Sequence, residues 1–138
     1  MVTPDQVRAM VAGFPGLEDR SGEDRLALEV GGKGFAWTLM ERTAPKKPRV
    51  PMLDVLAVRC DIARKEMLIE AAPDTFFSTD HYRGYPAVLV RLEAVEADEL
   101  AGLLADAWAI QAPARLKKFG GVVGTGAAPT SSEDSQGR

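Results

Sequence analysis

Two stretches of this 138-residue chain concentrate side chains able to bind or react. The first is Ser78-Thr79-Asp80-His81-Tyr82-Arg83-Gly84-Tyr85-Pro86, which holds the only histidine and both tyrosines. An imidazole changes charge near neutral pH, so His81 has the acidity that acid–base work needs. Catalysis would also require an orienting group and a nucleophile. Asp80 is only its chain neighbour, and neighbours in an extended chain point apart. Binding is the better use of these residues: His81, Tyr82 and Tyr85, with Trp37, would offer an aromatic surface to a protein partner or a small ligand. The plainest alternative packs the rings over a sheet edge and bonds His81 to the backbone.

The second stretch runs from Arg42 to Pro51 and carries four basic residues and no acidic one. Lys46, Lys47 and Arg49 suit phosphate contact, and Arg42 and Arg83 extend the set of candidate nucleic-acid ligands. Arg42, Pro45 and Pro48 also fit a weak proline-recognition pattern. In the third reading the stretch is a stiff loop whose charges keep exposed strand ends from pairing. Proline at every third position, Pro45, Pro48 and Pro51, favours an extended left-handed conformation.

Other chemistry finds little material. Cys60 is the only cysteine, so no intramolecular disulfide forms. Its strand-like surroundings make it a small core residue. One His and one Cys leave only carboxylates as further metal ligands, and no acidic cluster has calcium-loop spacing. No metal or cofactor is expected. Lys33 beside Gly31, Gly32 and Gly34 lacks phosphate-loop spacing, so those glycines read as turn residues. Glu66 and Glu70, one helical turn apart beside Arg64 and Lys65, read as a solvated face. On balance the chain is not an enzyme.

The elements that must hold these residues follow from period and punctuation. Thr3-Pro4-Asp5-Gln6 is a capping box, and Val7, Met10, Val11 and Phe14 continue it as one helical stripe. Leu26 to Val30 and Lys33 to Leu39 flank Gly31-Gly32, a hairpin signal, with Phe35, Trp37 and Leu39 expected on one face. Leu53 to Cys60 is a strand, and Asp61 caps a helix from Ile62 to Ala72 that Pro73 ends. Thr75 to Phe77 is a short extended piece, and Ala87 to Leu92 a strand. Leu100, Leu103, Leu104, Ala107 and Trp108 mark the apolar face of a last long helix. Gly120 to Arg138 has tail composition and is expected to be disordered. A tight hairpin between the first strands excludes parallel winding. The fold class is α+β, a largely antiparallel sheet with helices on one face.

Length and charge agree with one domain over residues 1–119. The net charge of −3 disfavours attraction of nucleic acid by the whole surface and leaves room for a local basic patch. The first residues lack the basic and apolar regions of a secretion signal, and no run is long enough to span a membrane. The expected location is the cytoplasm.

The run from Phe76 to Leu92, centred on His81-Tyr82-Arg83-Gly84-Tyr85-Pro86, resembles the signature of the MmcQ/YjbR-like proteins. Gly32-Lys33-Gly34-Phe35-Ala36 upstream and Glu99-Leu100 through Ala107-Trp108 downstream support it. Many relatives carry Trp where this chain has Tyr82. The resemblance implies a CyaY-like fold, helices on an antiparallel sheet, and DNA binding through a double-wing arrangement of hairpins, with Arg42 to Pro51 as a wing. It brings no catalytic residues. Frataxin-type iron binding does not carry over, because the first helix offers only Asp5 before Glu18 and Asp19.

Overall fold

The computed structural model describes residues 1–117, so the expectations for Gly120 to Arg138 lie outside the described residues. Helix α1 (Pro4–Val11) begins as its capping box requires. Thr3 Oγ1 accepts from the Gln6 amide at 3.2 Å, and the Gln6 side chain accepts from the Thr3 amide at 2.8 Å. Two otherwise orphaned donors are thereby satisfied. The stripe that follows buries Val7 and Val11 completely and packs Met10 and Phe14 at the core margin.

Next come β1 (Leu17–Asp19), β2 (Ala27–Val30), β3 (Lys33–Arg42), β4 (Arg49–Arg59), α2 (Ile62–Ala71), β5 (Phe76–Phe77), β6 (Ala87–Arg91) and α3 (Ala97–Gln111). The strands form one sheet in the order β1-β2-β3-β4-β6-β5, and every neighbouring pair is antiparallel. Gly31 and Gly32 turn the β2–β3 hairpin with φ of 59° and 76°, a region that L side chains rarely occupy. Asp61 caps α2 by accepting from the Arg64 amide at 2.8 Å.

Helices α1, α2 and α3 pack on one face of the sheet. Leu100, Leu103, Leu104, Ala107 and Trp108 of α3 meet Leu28, Val30, Phe35, Leu56, Val58, Val88 and Val90, with Leu68 and Ile69 of α2 at the side. Trp108 is buried, and its indole N–H donates to the Pro15 carbonyl at 2.9 Å. The opposite face carries a smaller cluster of Leu39, Val55, Ala57, Tyr82, Ala87 and Leu89, flanked by Trp37 and Phe77.

Three sequence expectations need correction. Phe35 does not share a face with Trp37 and Leu39. Leu28 pairs with Ala36 and Glu29 with Gly34, so Phe35 is the extra residue of a bulge and turns to the helices. The Arg42–Pro51 stretch is not an extended connector either. Arg42 pairs with Arg49 and Met40 with Pro51, closing a second hairpin. Pro51 fits there because β6 pairs β4 only from Val55 onward, leaving an open edge where no amide is needed. Lys65 is buried rather than part of a solvated face.

Candidate nucleic-acid interface

The β3–β4 hairpin projects its tip beyond the rest of the sheet, because its residues 49–52 pair only with β3. Three extra residues, 53–55, enter β4 between the pairs Leu39–Met52 and Thr38–Leu56, a bulge that bends the hairpin at its root. Arg42, Lys46, Lys47 and Arg49 are all exposed, and none forms an ion pair among the described residues. Lys46 has φ of +70°, and the Lys47 amide donates to the Ala44 carbonyl at 3.1 Å. Arg42 Nη1 donates to the Lys47 carbonyl at 2.6 Å. The hairpin tip is thus a closed turn that displays cations.

The structure does not bring Arg83 to this group. By register, Arg59 of β4 pairs with Ala87, at the strand end from which the 83–86 turn leaves. Counted along β3, Arg42 lies seven residues from the level of Arg59, roughly 23 Å at strand rise. Arg83 instead donates to Asp80 at 2.6 Å.

The aromatic residues gather at that far end, over the face of the sheet rather than its edge. A turn of 3-10 helix, Asp80–Tyr82, lowers the Tyr82 ring onto Ala57, Ala87 and Leu89. The Tyr82 hydroxyl accepts from the Trp37 indole N–H at 3.0 Å. Tyr85 stacks edgewise on both Tyr82 and Trp37, with centroids 5.8 and 6.4 Å away. Its hydroxyl accepts from Arg59 Nη1 at 3.1 Å, and the same guanidinium lies 5.3 Å from its ring centroid. His81 is exposed, meets Tyr82 edgewise and makes no hydrogen bond among the described residues. With Asp80 committed to Arg83, it has no orienting carboxylate.

Sequence reasoning missed the residue that holds this turn. Lys65 is buried, and its ammonium donates to the carbonyls of Tyr82 at 2.6 Å and Tyr85 at 2.9 Å. Burial pulls its pKa below the ordinary lysine value. A charge pattern reports only the average exposure of a helix face, so nothing in it singles out Lys65. Arg59 and Arg91 were missed as well, since each looks like an ordinary strand end. Arg91 lies 3.9 Å over the Phe77 ring.

Behind the turn, a cleft of about 340 Å³ opens between α2 and residues 78–84, with Ile62, Ile69, Thr79 and Arg83 among its walls. Trp37, His81, Tyr82 and Tyr85 are not among its walls. Cys60 is buried, and burial raises its thiol pKa, the opposite of an activated nucleophile. Among the described residues no three His, Cys, Asp or Glu side chains are disposed to hold a metal, and no helix is long and apolar enough to cross a membrane.

Known proteins bear on this architecture at two levels. The crystal structure of protein DR2400 of Deinococcus radiodurans, which carries the DUF419 domain, superposes with a TM-score of 0.62. It covers 88% of this chain and 89% of that one at 22% identity, which speaks to the fold alone. In sequence, the uncharacterized proteins Rv2570 of Mycobacterium tuberculosis and Mb2600 of Mycobacterium bovis are each 36% identical over 123 residues. These alignments cover 84% of this chain and 93% of each relative. The YjbR family model matches residues 4–110, from the start of α1 almost to the end of α3, and the chain belongs to that family.

Proposed function

We propose that the protein binds duplex DNA through the β3–β4 hairpin. The observation that carries this reading is the hairpin tip itself, with Arg42, Lys46, Lys47 and Arg49 exposed and free of acidic partners among the described residues. Unpaired cations on a projecting loop gain most when they displace counterions from phosphate. A two-stranded ribbon is also of a size that the major groove admits. The family resemblance, with its double-wing arrangement, points the same way. The net charge of −3 confines the attraction to this patch, so binding depends steeply on salt and little on sequence. The reading is of a binding protein: among the described residues His81 makes no hydrogen bond, and its neighbour Asp80 accepts from Arg83.

The test is a titration of labelled duplex at two salt concentrations. Four phosphate contacts give log affinity against log salt a slope of about −3.6. Replacing Lys46 and Lys47 together with Ala flattens the slope by about 1.8 on any sequence. No shift of duplex at micromolar protein and about 50 mM salt, where even nonspecific binders engage, would overturn the reading.

A further inference from the structure

The open face of the sheet carries two cations that the fold leaves uncompensated. Arg59 and Arg91 are half-buried, and neither has a carboxylate within ion-pair distance among the described residues. Arg59 Nε is closed off from solvent without a hydrogen-bond partner. Each guanidinium lies over a ring, Arg59 on Tyr85 and Arg91 on Phe77. Register places them one strand apart and four residues apart along β4, roughly 13 Å. Beside them Tyr85 is 41% exposed and Trp37 half-buried. Of the acidic residues on this face, Glu41 lies toward the hairpin tip, six residues along β3 from the level of Arg59, roughly 20 Å. The Glu29 carboxylate meets Arg20 at 3.5 Å, and Glu18 accepts from the Gly32 amide at 3.0 Å, both on the β1–β2 side.

Half-buried cations without counter-ions call for an anion, and exposed rings beside them call for a flat apolar group on the same molecule. We propose that this face, centred on Arg59, Tyr85 and Trp37, binds an unpaired strand of nucleic acid. Bases in a strand without a partner are free to stack on rings while their phosphates meet the guanidiniums. Bases inside a duplex are stacked on each other and cannot. The proposal rests on the hairpin reading for one further consequence. β3 and β4 run from the basic tip directly into Trp37 and Arg59, so the preferred target is a duplex that continues into a single-stranded segment.

Three labelled probes test this by fluorescence anisotropy: a blunt duplex, the same duplex with a single-stranded extension, and the single strand alone. The extension is expected to tighten binding. Tyr85→Leu and Arg59→Gln each remove that gain, about tenfold for one lost base–aromatic stack, and leave the blunt duplex bound as before. Lys46→Ala with Lys47→Ala weakens both duplexes. Quenching of Trp37 fluorescence by the single strand, lost in Trp37→Phe, gives a second measurement that needs no loop substitution. Equal affinity for blunt and extended duplex would overturn the proposal. So would a gain that survives both Tyr85→Leu and Arg59→Gln, or an oligo-aspartate peptide that displaces the strand as well as an oligonucleotide does. If the blunt duplex fails to bind while the single strand binds in a Tyr85-dependent way, the hairpin reading falls and this one stands.

Discussion

The two faces of the sheet are held by different forces. On the helix side, Phe35, Leu56, Val88 and Leu104 are among many side chains sealed from water by three helices, and area removed from solvent is the dominant stabilising term. On the other side a single short turn covers the middle of the sheet. It is held by one buried ring, the Trp37–Tyr82 and Arg59–Tyr85 side-chain hydrogen bonds and one buried lysine. A face covered so sparingly leaves Arg59, Arg91 and Tyr85 within reach of solvent. Most of the buried apolar surface thus lies on one side of the strands, and the solvent-accessible cations and ring lie on the other.

Substitutions that empty the helix side are expected to cost most. Trp108→Ala removes a buried indole that contacts Phe14 edgewise at 6.1 Å and satisfies the Pro15 carbonyl. The expected loss is about 3–5 kcal/mol, read by urea denaturation. Tyr82→Ala on the open side should cost less, about 2 kcal/mol, because the gap it leaves can fill with water. It should also shift Trp37 emission to the red, since the indole loses both its partner and its cover. A larger loss for Tyr82→Ala than for Trp108→Ala would invert the comparison.

The same contrast explains what the sequence revealed. Helix faces repeat every three to four residues and announce their caps, so α1, α2 and α3 were legible from Thr3, Asp61 and the Leu100–Trp108 stripe. Gly31-Gly32 announced the first hairpin. Bulges carry no such period. The extra residue at Phe35 reversed its face, and the bulge at 53–55 separated the first half of β4, residues 49–52, from the half whose pattern was legible. Pro45, Pro48 and Pro51 mimicked an extended connector, although an edge strand tolerates proline where no amide must donate. β1, at three residues, is too short to show any period. Of the candidate site, the residue types at the hairpin tip and in the aromatic loop were visible. Their separation by roughly 23 Å of strand was not, because distance depends on register.

Lys65 offers a finer test of the open side. Lys65→Met removes the donor to two carbonyls, at an expected cost of about 1–2 kcal/mol. Its pH dependence has a definite sign. Desolvation lowers the folded-state pKa below the ordinary value of 10.5, so the native protein releases this proton before the unfolded chain does. The unfolded state then binds more protons between the folded pKa and 10.5, and stability rises with pH across that window. Below the window the buried charge carries its full penalty. Urea midpoints measured at rising alkaline pH should show the wild type gaining on Lys65→Met. Parallel curves would mean that the lysine is as well solvated folded as unfolded.

The smallest effect on stability belongs to the hairpin tip, where Lys46 holds φ of +70°. For a residue with a Cβ, that conformation costs about 1 kcal/mol, and Lys46→Gly relieves it. Glycine also loses more freedom on folding, which offsets roughly 0.5–1 kcal/mol of the gain. The two terms nearly cancel, so the urea midpoint should move by no more than about 0.5 kcal/mol. Binding should respond differently, because the substitution deletes a cation and keeps the turn. The salt slope for duplex should flatten by about 0.9, the contribution of one phosphate contact. Lys46→Gly that is neutral to folding and flattens the slope would separate charge from loop shape. A loss of more than about 1 kcal/mol would show that the Lys46 side chain supports the turn. An unchanged slope would mean that duplex binding, where it occurs, does not use the tip.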